Sequence, residues 1–113
     1  MKNASSRISF VGRGMARMIG PFDTTNVTTL GGMFMNCSSL TNLDGLENWN
    51  TANVTDMTWT FIGCKKLTDA SAINEWDITA VTSFEQMFYN CPSHPNFTKR
   101  AGTWSGGTFI PTT

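Results

Sequence analysis

The segment NVTDMTWTFIGC, residues 53–64, decides the fold because similar segments occur three times in the chain. The first copy, NVTTLGGMFMNC, begins at Asn26, and the third, AVTSFEQMFYNC, begins at Ala80, so each copy starts 27 residues after the one before. Self-similarity at a fixed interval of this size predicts stacked structural repeats. The residues that recur at this interval are Val27, Val54 and Val81; Phe34, Phe61 and Phe88; Cys37, Cys64 and Cys91; and Phe22, Trp49 and Trp76.

Each repeat divides into two parts with different patterns. In the second copy Val54, Met57 and Phe61 follow the spacing of one helix face, which predicts about two turns of helix. The alternation over residues 67–70 predicts a short strand after the cysteine. Neither element is stable alone, so the repeats must stack, with the recurring residues forming ladders in the interior. The sequence therefore predicts an α/β fold in which each coil is a short strand plus a short helix.

The repeats set the boundaries within a single domain. Three copies occupy residues 22–48, 49–75 and 76–97, the last of them incomplete. Residues 1–21 are predicted to be a degenerate N-terminal coil or cap, and residues 98–113 a C-terminal cap. In that C-terminal cap we expect Trp104, Phe109 and Ile110 to lie over the last coil and Pro111 to end strand pairing.

Composition excludes several classes of function. Eight Lys and Arg residues balance eight Asp and Glu residues, and only 14% of the chain is charged, which argues against a nucleic-acid-binding surface. The chain has no apolar run long enough to span a bilayer. No signal peptide is visible, because Arg7, Arg13 and Arg17 interrupt the apolar residues near the start.

The cysteines do not indicate a metal or a cofactor. Their 27-residue spacing matches no paired-ligand motif, and three cysteines cannot pair evenly, so we expect Cys37, Cys64 and Cys91 to form a reduced, buried ladder. No hydrolase, metalloprotease or phosphate-loop motif is present, and we expect no enzymatic activity. A dyad of Cys91 with His94 is the remaining catalytic alternative, although the other copies carry no His at that place.

Positions that differ between the copies are the candidates for a binding surface. Trp59 and Tyr89 are the aromatic residues that the repeat explains least, so we expect them to anchor an interface, although Trp59 would equally suit packing on a neighbouring loop. Lys65 and Lys66 form an exposed basic pair that either contributes to binding or is a solvated face. The variable columns are Met35, Ile62 and Tyr89; Gly32, Thr60 and Gln86; and residues 38–39, 65–66 and 92–93.

The stretch DTTNVTTLGGMFMNCSSLTNLDGL, residues 23–46, resembles a bacterial surface-protein repeat related to the BspA-like leucine-rich repeats. The resemblance extends from about Phe22 to Phe97. It implies a short right-handed leucine-rich-repeat-like solenoid, found on cell-surface or secreted proteins whose functions are mostly unassigned and are otherwise attributed to adhesion and host-protein binding. The matching positions are Asp23, Thr24, Asn26, Val27, Thr28, Met33, Phe34, Cys37, Ser39, Leu40, Thr41, Leu43 and Asp44.

These features together favour a non-enzymatic interaction module of a bacterial surface or phage-associated protein. It would bind a protein or a glycan through the face of the stack. The alternative is a structural building block that self-associates, or caps a larger assembly, through the ends of the stack. The resemblance implies a location at the cell surface or outside the cell, with a virion or the cytoplasm as the alternatives.

Overall fold

The stacked repeats contain almost no regular secondary structure. The computed structural model describes residues 24–112; the predicted N-terminal coil or cap, residues 1–21, and Phe22 lie outside them. Within the described range there is no α-helix, and the helices present are two short 3-10 helices at Leu46–Asn48 and Ser71–Ile73. The strands are β1, Gly102–Ser105, and β2, Thr108–Pro111, which pair antiparallel.

The prediction of an α/β solenoid with a strand and a helix in every coil is therefore wrong. The stretch predicted as a helix, residues 54–61, contains an isolated bridge at Asp56 and turns from residue 58 onward. The stretch predicted as a strand, residues 67–70, contributes only an isolated parallel bridge between Asn42 and Asp69. Two further isolated bridges join Thr29 to Asp56 and Asp56 to Ser83. Successive repeats do lie side by side, as layers built from turns.

The backbone hydrogen bonds explain why the turns do not become a helix. In an α-helix each N–H group bonds the carbonyl four residues earlier in the same segment. Between residues 57 and 64 the N–H groups instead alternate between two destinations. The N–H groups of Met57, Trp59, Phe61 and Gly63 donate to the carbonyls of Ser83, Glu85, Met87 and Tyr89 in the next layer at 2.8–2.9 Å. Those of Thr60, Ile62 and Cys64 donate within the layer to the carbonyl three residues earlier.

A second obstacle to a helix is a column of residues with left-handed backbone. Asn36, Gly63 and Asn90 occupy equivalent places in the three layers and have φ angles of 58°, 77° and 64°. Asn and Gly are the residue types that adopt this conformation most readily. Such a residue in every layer turns the chain at the end of the segment, and a right-handed helix cannot pass through it.

The apolar ladders fill the interior between the layers. Phe34, Phe61 and Phe88 stack with ring centroids 5.1 Å and 4.8 Å apart, and Trp49 stacks on Trp76 at 6.4 Å. All five side chains are buried. The centroid distances of the phenylalanine rings are close to the spacing of neighbouring strands, about 4.8 Å, because interlayer hydrogen bonds hold the backbones at that separation. The rest of the buried ladder includes Val27, Val54, Val81, Cys37 and Cys64.

The C-terminal hairpin takes the place of a fourth layer. The N–H of Phe88 donates to the carbonyl of Gly107 at 2.9 Å, where the equivalent groups in earlier layers bond the next repeat. Phe109 is buried, and Trp104 meets the ring of Phe88 edge-on at 5.6 Å. Ile110, which we expected to lie over the last coil, is instead 46% exposed. The hairpin thus covers the apolar end of the third layer with two of the three predicted residues.

Candidate binding surface

The exposed side of the turns carries large side chains from all three layers. We call the surface formed by Met35, Trp59, Ile62, Gln86 and Tyr89 the turn face. Trp59 is 47% exposed and Tyr89 is 41% exposed, and both belong to the segments whose N–H groups connect the layers. Scattered surface apolar residues need no explanation, but two large aromatic residues on adjacent layers of one face form a patch.

Trp59 lies at a backbone position that does not suit it. The column that contains Gly32, Trp59 and Gln86 has φ angles of 67°, 60° and 52°, which is the left-handed region. A residue with a Cβ loses about 1–2 kcal/mol in that region, and glycine escapes this cost. Residues held in such conformations are concentrated at functional sites. The backbone strain makes Trp59 a candidate for a functional residue.

The indole ring is held in place by the next layer. Its Nε1–H donates to Oε1 of Gln86 at 3.3 Å, and the backbone N–H of Trp59 donates to the carbonyl of Glu85 at 2.9 Å. The predicted grouping of Thr60 with Gly32 and Gln86 is one place out of register, because Trp59 is the residue 27 positions after Gly32. In the structure Thr60 is fully buried and its hydroxyl donates to the carbonyl of Met57 at 2.7 Å.

An open groove runs beside Trp59, across the first and second layers. Its volume is about 340 Å³. Its polar wall contains Asp56, whose Oδ1 accepts from the N–H of Thr58 at 2.9 Å, and Thr29, whose Oγ1 accepts from the N–H of Gly31 at 3.0 Å. The groove is lined by Thr29, Gly31, Gly32, Met35, Asp56, Thr58 and Trp59.

The remaining predicted site residues lie elsewhere. Lys65 and Lys66 are exposed, but neither lines the groove. Cys91 and His94 are each engaged with other groups: the thiol of Cys91 donates to the carbonyl of Phe61 at 2.9 Å, and the His94 ring stacks on Trp104 at 4.4 Å. Their hydrogen bonds do not join them as a nucleophile and a base.

The thiols continue the ladder of the interior. Cys37, Cys64 and Cys91 are in the thiol form; the first two are buried and Cys91 is partly exposed, and the thiol of Cys64 donates to the carbonyl of Phe34 at 3.1 Å. Hydrogen bonding with the side chains of Cys37 and Cys91, together with burial, raises the pKa of Cys64 well above its ordinary value. Such a thiol stays protonated and is a poor nucleophile or metal ligand. Within residues 24–112 no group of three His, Cys, Asp or Glu side chains is placed to hold a metal ion.

Comparison with known proteins identifies a family. The family model described as "Mycoplasma protein of unknown function, DUF285" matches residues 1–108. The chain belongs to this family. No curated protein and no solved structure matches it. Among the described residues of this DUF285 protein, no helix is long and apolar enough to cross a membrane.

Sequence reasoning found the aromatic residues of the turn face and missed the groove. Trp59 and Tyr89 were recognised because they interrupt the repeat. The sequence does not group Thr29, Gly31 and Asp56 into one site, because each looks like an ordinary turn residue. The 27-residue register could have indicated the groove. It aligns Trp59 with Gly32, and so places a bulky ring beside a layer that has no side chain at the equivalent position.

Proposed function

We propose that this DUF285 protein is a non-enzymatic interaction module that binds a protein or a glycan partner through its turn face. The observation that carries the proposal is the exposed Trp59, kept in a left-handed backbone conformation on an open groove. Aromatic anchors in or beside concavities dominate the energetics of binding surfaces. Tyr89 extends the surface to the third layer.

The proposed location is the outer surface of a bacterium, with a virion as the alternative. The likeness of residues 23–46 to BspA-like surface repeats supports this location, although the leucine-rich-repeat fold itself does not carry over. A stack whose layers are joined by backbone hydrogen bonds suits display of a binding face, because side chains on the face can vary without altering the layers.

Binding measurements with a matched set of variants test the proposal. The purified protein is applied to an immobilised glycan array and to a panel of extracellular-matrix proteins. The comparison is with the double variant Trp59→Gly/Tyr89→Ser and with Ile110→Ser, which removes a similarly exposed apolar side chain from the hairpin. We expect at least one probe to bind the wild type and Ile110→Ser but not the double variant. Binding that is equal in all three proteins, or binding to none of the probes, would refute the proposed function.

A second candidate function, self-association through the end of the stack, has one observation in its favour. Trp49 Nε1 is buried and has no acceptor among residues 24–112, whereas the equivalent Nε1 of Trp76 donates to the carbonyl of Leu46 at 2.8 Å. Buried N–H groups are normally paired, so an acceptor is expected from another part of the chain or from a partner. Light scattering distinguishes the two, since a monodisperse monomer at high concentration would exclude the partner.

A further inference from the structure

We propose that the groove beside Trp59 is a saccharide site that takes one neutral pyranose unit. The inference rests on the proposed function and deepens it, because it names the class of ligand that the turn face recognises. Trp59 supplies a flat apolar surface for the C–H face of the sugar ring, and the wall formed by Asp56 and Thr29 accepts and donates hydrogen bonds at the edge of the ring.

The first step of the argument is the orientation of the aromatic ring. An exposed indole ordinarily samples several rotamers, and fixing them on binding loses affinity. Here the Nε1–H bond to Gln86 Oε1, at 3.3 Å, holds the ring before any ligand arrives. The polar edge of the indole is thereby occupied by the protein itself. The part of Trp59 left for a ligand is its apolar ring surface, of which a large share is exposed.

The second step is the space beside the ring. The preceding layer has Gly31 and Gly32 in the lining of the groove, and neither glycine places a side chain in it. A Cβ added at Gly31 would lie 3.3 Å from Thr29 Oγ1 and 3.5 Å from Asp56 Oδ2, which shows that this part of the groove borders both oxygens. The volume of about 340 Å³ is at the lower end of the range of about 300–1,000 Å³ for small-molecule clefts. Such a groove suits one ring unit of a longer chain.

The third step is the polar chemistry of the wall. Asp56 uses Oδ1 to accept the N–H of Thr58, and no described residue donates to Oδ2, which is the oxygen nearest the groove beside Gly31. Thr29 Oγ1 already accepts the N–H of Gly31, so its own proton is available to donate. A carboxylate acceptor and a hydroxyl donor, side by side, match the paired hydroxyl groups on the edge of a pyranose.

Charge selects among the ligands that could stack on an indole. No lysine, arginine or histidine lines the groove, which disfavours an anionic sugar or a phosphate. The single carboxylate could instead attract a cationic side chain of a protein partner over the Trp59 ring. The Thr29 hydroxyl has a proton to donate, which a cation cannot accept and a polyol can, so the mixed wall favours the saccharide.

The test follows the indole N–H resonance of Trp59 by NMR during titration of the full chain. The probes are the methyl glycosides of glucose, galactose and mannose and of N-acetylglucosamine, with arginine methyl ester as the cationic probe. At least one glycoside should shift the resonance at concentrations of about 10 mM or below, with an apparent Kd insensitive to added salt. Arginine methyl ester should bind at least about tenfold more weakly than that glycoside.

Four variants locate the site. Trp59→Gly should weaken binding of the glycoside at least about tenfold. Because this variant has no indole resonance at residue 59, its binding is measured by ligand-observed NMR. Asp56→Asn keeps an Oδ1 acceptor for the Thr58 N–H but replaces Oδ2 by a donor, and should also weaken binding. Gly31→Ala should do the same by narrowing the groove. Tyr89→Ser, on the same face but outside the groove, should bind as the wild type does.

Each other outcome overturns the saccharide site. If no glycoside shifts the resonance, or if Trp59→Gly and Tyr89→Ser bind equally well, the groove is not the site. If arginine methyl ester binds in a salt-dependent manner and the glycosides do not, the occupant is a basic side chain of a protein partner. The proposed function would survive that result, and it would fail only if the matrix proteins and the glycan array also showed no binding that depends on the turn face.

Discussion

Replacing Phe61 by alanine should remove a large part of the stability of the protein. Phe61 is completely buried, and its ring lies between those of Phe34 and Phe88, with centroids 5.1 Å and 4.8 Å away. Truncation of a buried phenylalanine costs about 3–5 kcal/mol. Relaxation into the cavity is limited, because interlayer backbone bonds hold both neighbours: Phe34 N–H to Thr60 O at 2.8 Å and Phe88 N–H to Gly107 O at 2.9 Å.

The upper part of that range, about 4–5 kcal/mol, is therefore expected for Phe61→Ala. A 113-residue chain has a free energy of unfolding of about 6–17 kcal/mol, so the variant would be marginally stable at the low end. Urea unfolding followed by tryptophan fluorescence measures the change. Ile62→Ala is the control, because Ile62 is adjacent but partly exposed, and its loss should cost about 1 kcal/mol or less. A Phe61→Ala variant within about 1 kcal/mol of the wild type, at an unchanged m-value, would refute a tightly packed aromatic ladder.

Four further measurements test the backbone and the buried thiols. Gly63→Ala should destabilise the protein more than Gly106→Ala in urea unfolding: both positions have left-handed φ, but only at Gly63 would the new Cβ collide with a neighbouring side chain. Trp59→Gly should be more stable than Trp59→Ala, by about 1 kcal/mol, because only glycine is relieved of the left-handed cost; the opposite order would contradict that backbone conformation. Cys64 should resist iodoacetamide in the folded protein while the partly exposed Cys91 reacts, as mass spectrometry of the labelled chain would show. Because the folded-state pKa of Cys64 is raised, this thiol contributes its full stabilisation below its ordinary pKa of 9.0 and loses it as the pH rises above that value. The free energy of unfolding should therefore fall less steeply at alkaline pH in Cys64→Ala than in the wild type.

The 27-residue spacing of the layers could be predicted from the sequence, but the backbone conformation within each layer could not. Residues 27 positions apart share a chemical environment, and this made the Phe34, Phe61 and Phe88 column visible without a structure. The apolar spacing of Val54, Met57 and Phe61 is compatible both with a helix face and with a series of turns, since both structures bring residues three or four apart to one side. A helix and a series of turns differ in which carbonyl groups accept from the backbone N–H groups. The pattern of side chains does not indicate whether those acceptors lie in the same layer or in the next one.

The groove was beyond sequence reasoning for a related reason. Its lining comes from two layers, with Gly31 and Thr29 in the first and Asp56 and Trp59 in the second. Their proximity depends on which backbone groups pair between the layers: the N–H of Gly32 donates to the carbonyl of Thr58, the residue before its equivalent Trp59, as in parallel pairing. Trp59 is exposed and the adjacent Thr60 is buried, so a register error of one residue in the sequence alignment of the layers changes which side chain is assigned to the surface.

The two left-handed columns give the reason to look for function at Trp59 and not at other exposed residues. At the end of the turns the protein uses Asn36, Gly63 and Asn90, residue types that suit the conformation, so backbone requirements alone explain them. At the beginning of the turns the three layers have Gly32, Trp59 and Gln86, with φ angles of 67°, 60° and 52°, and Trp59 is the large aromatic residue among them. Glycine would serve the backbone at all three places. Trp59 thus combines a backbone strain that glycine would avoid with an exposed ring, and this combination is the reason that the proposed binding function is centred on it.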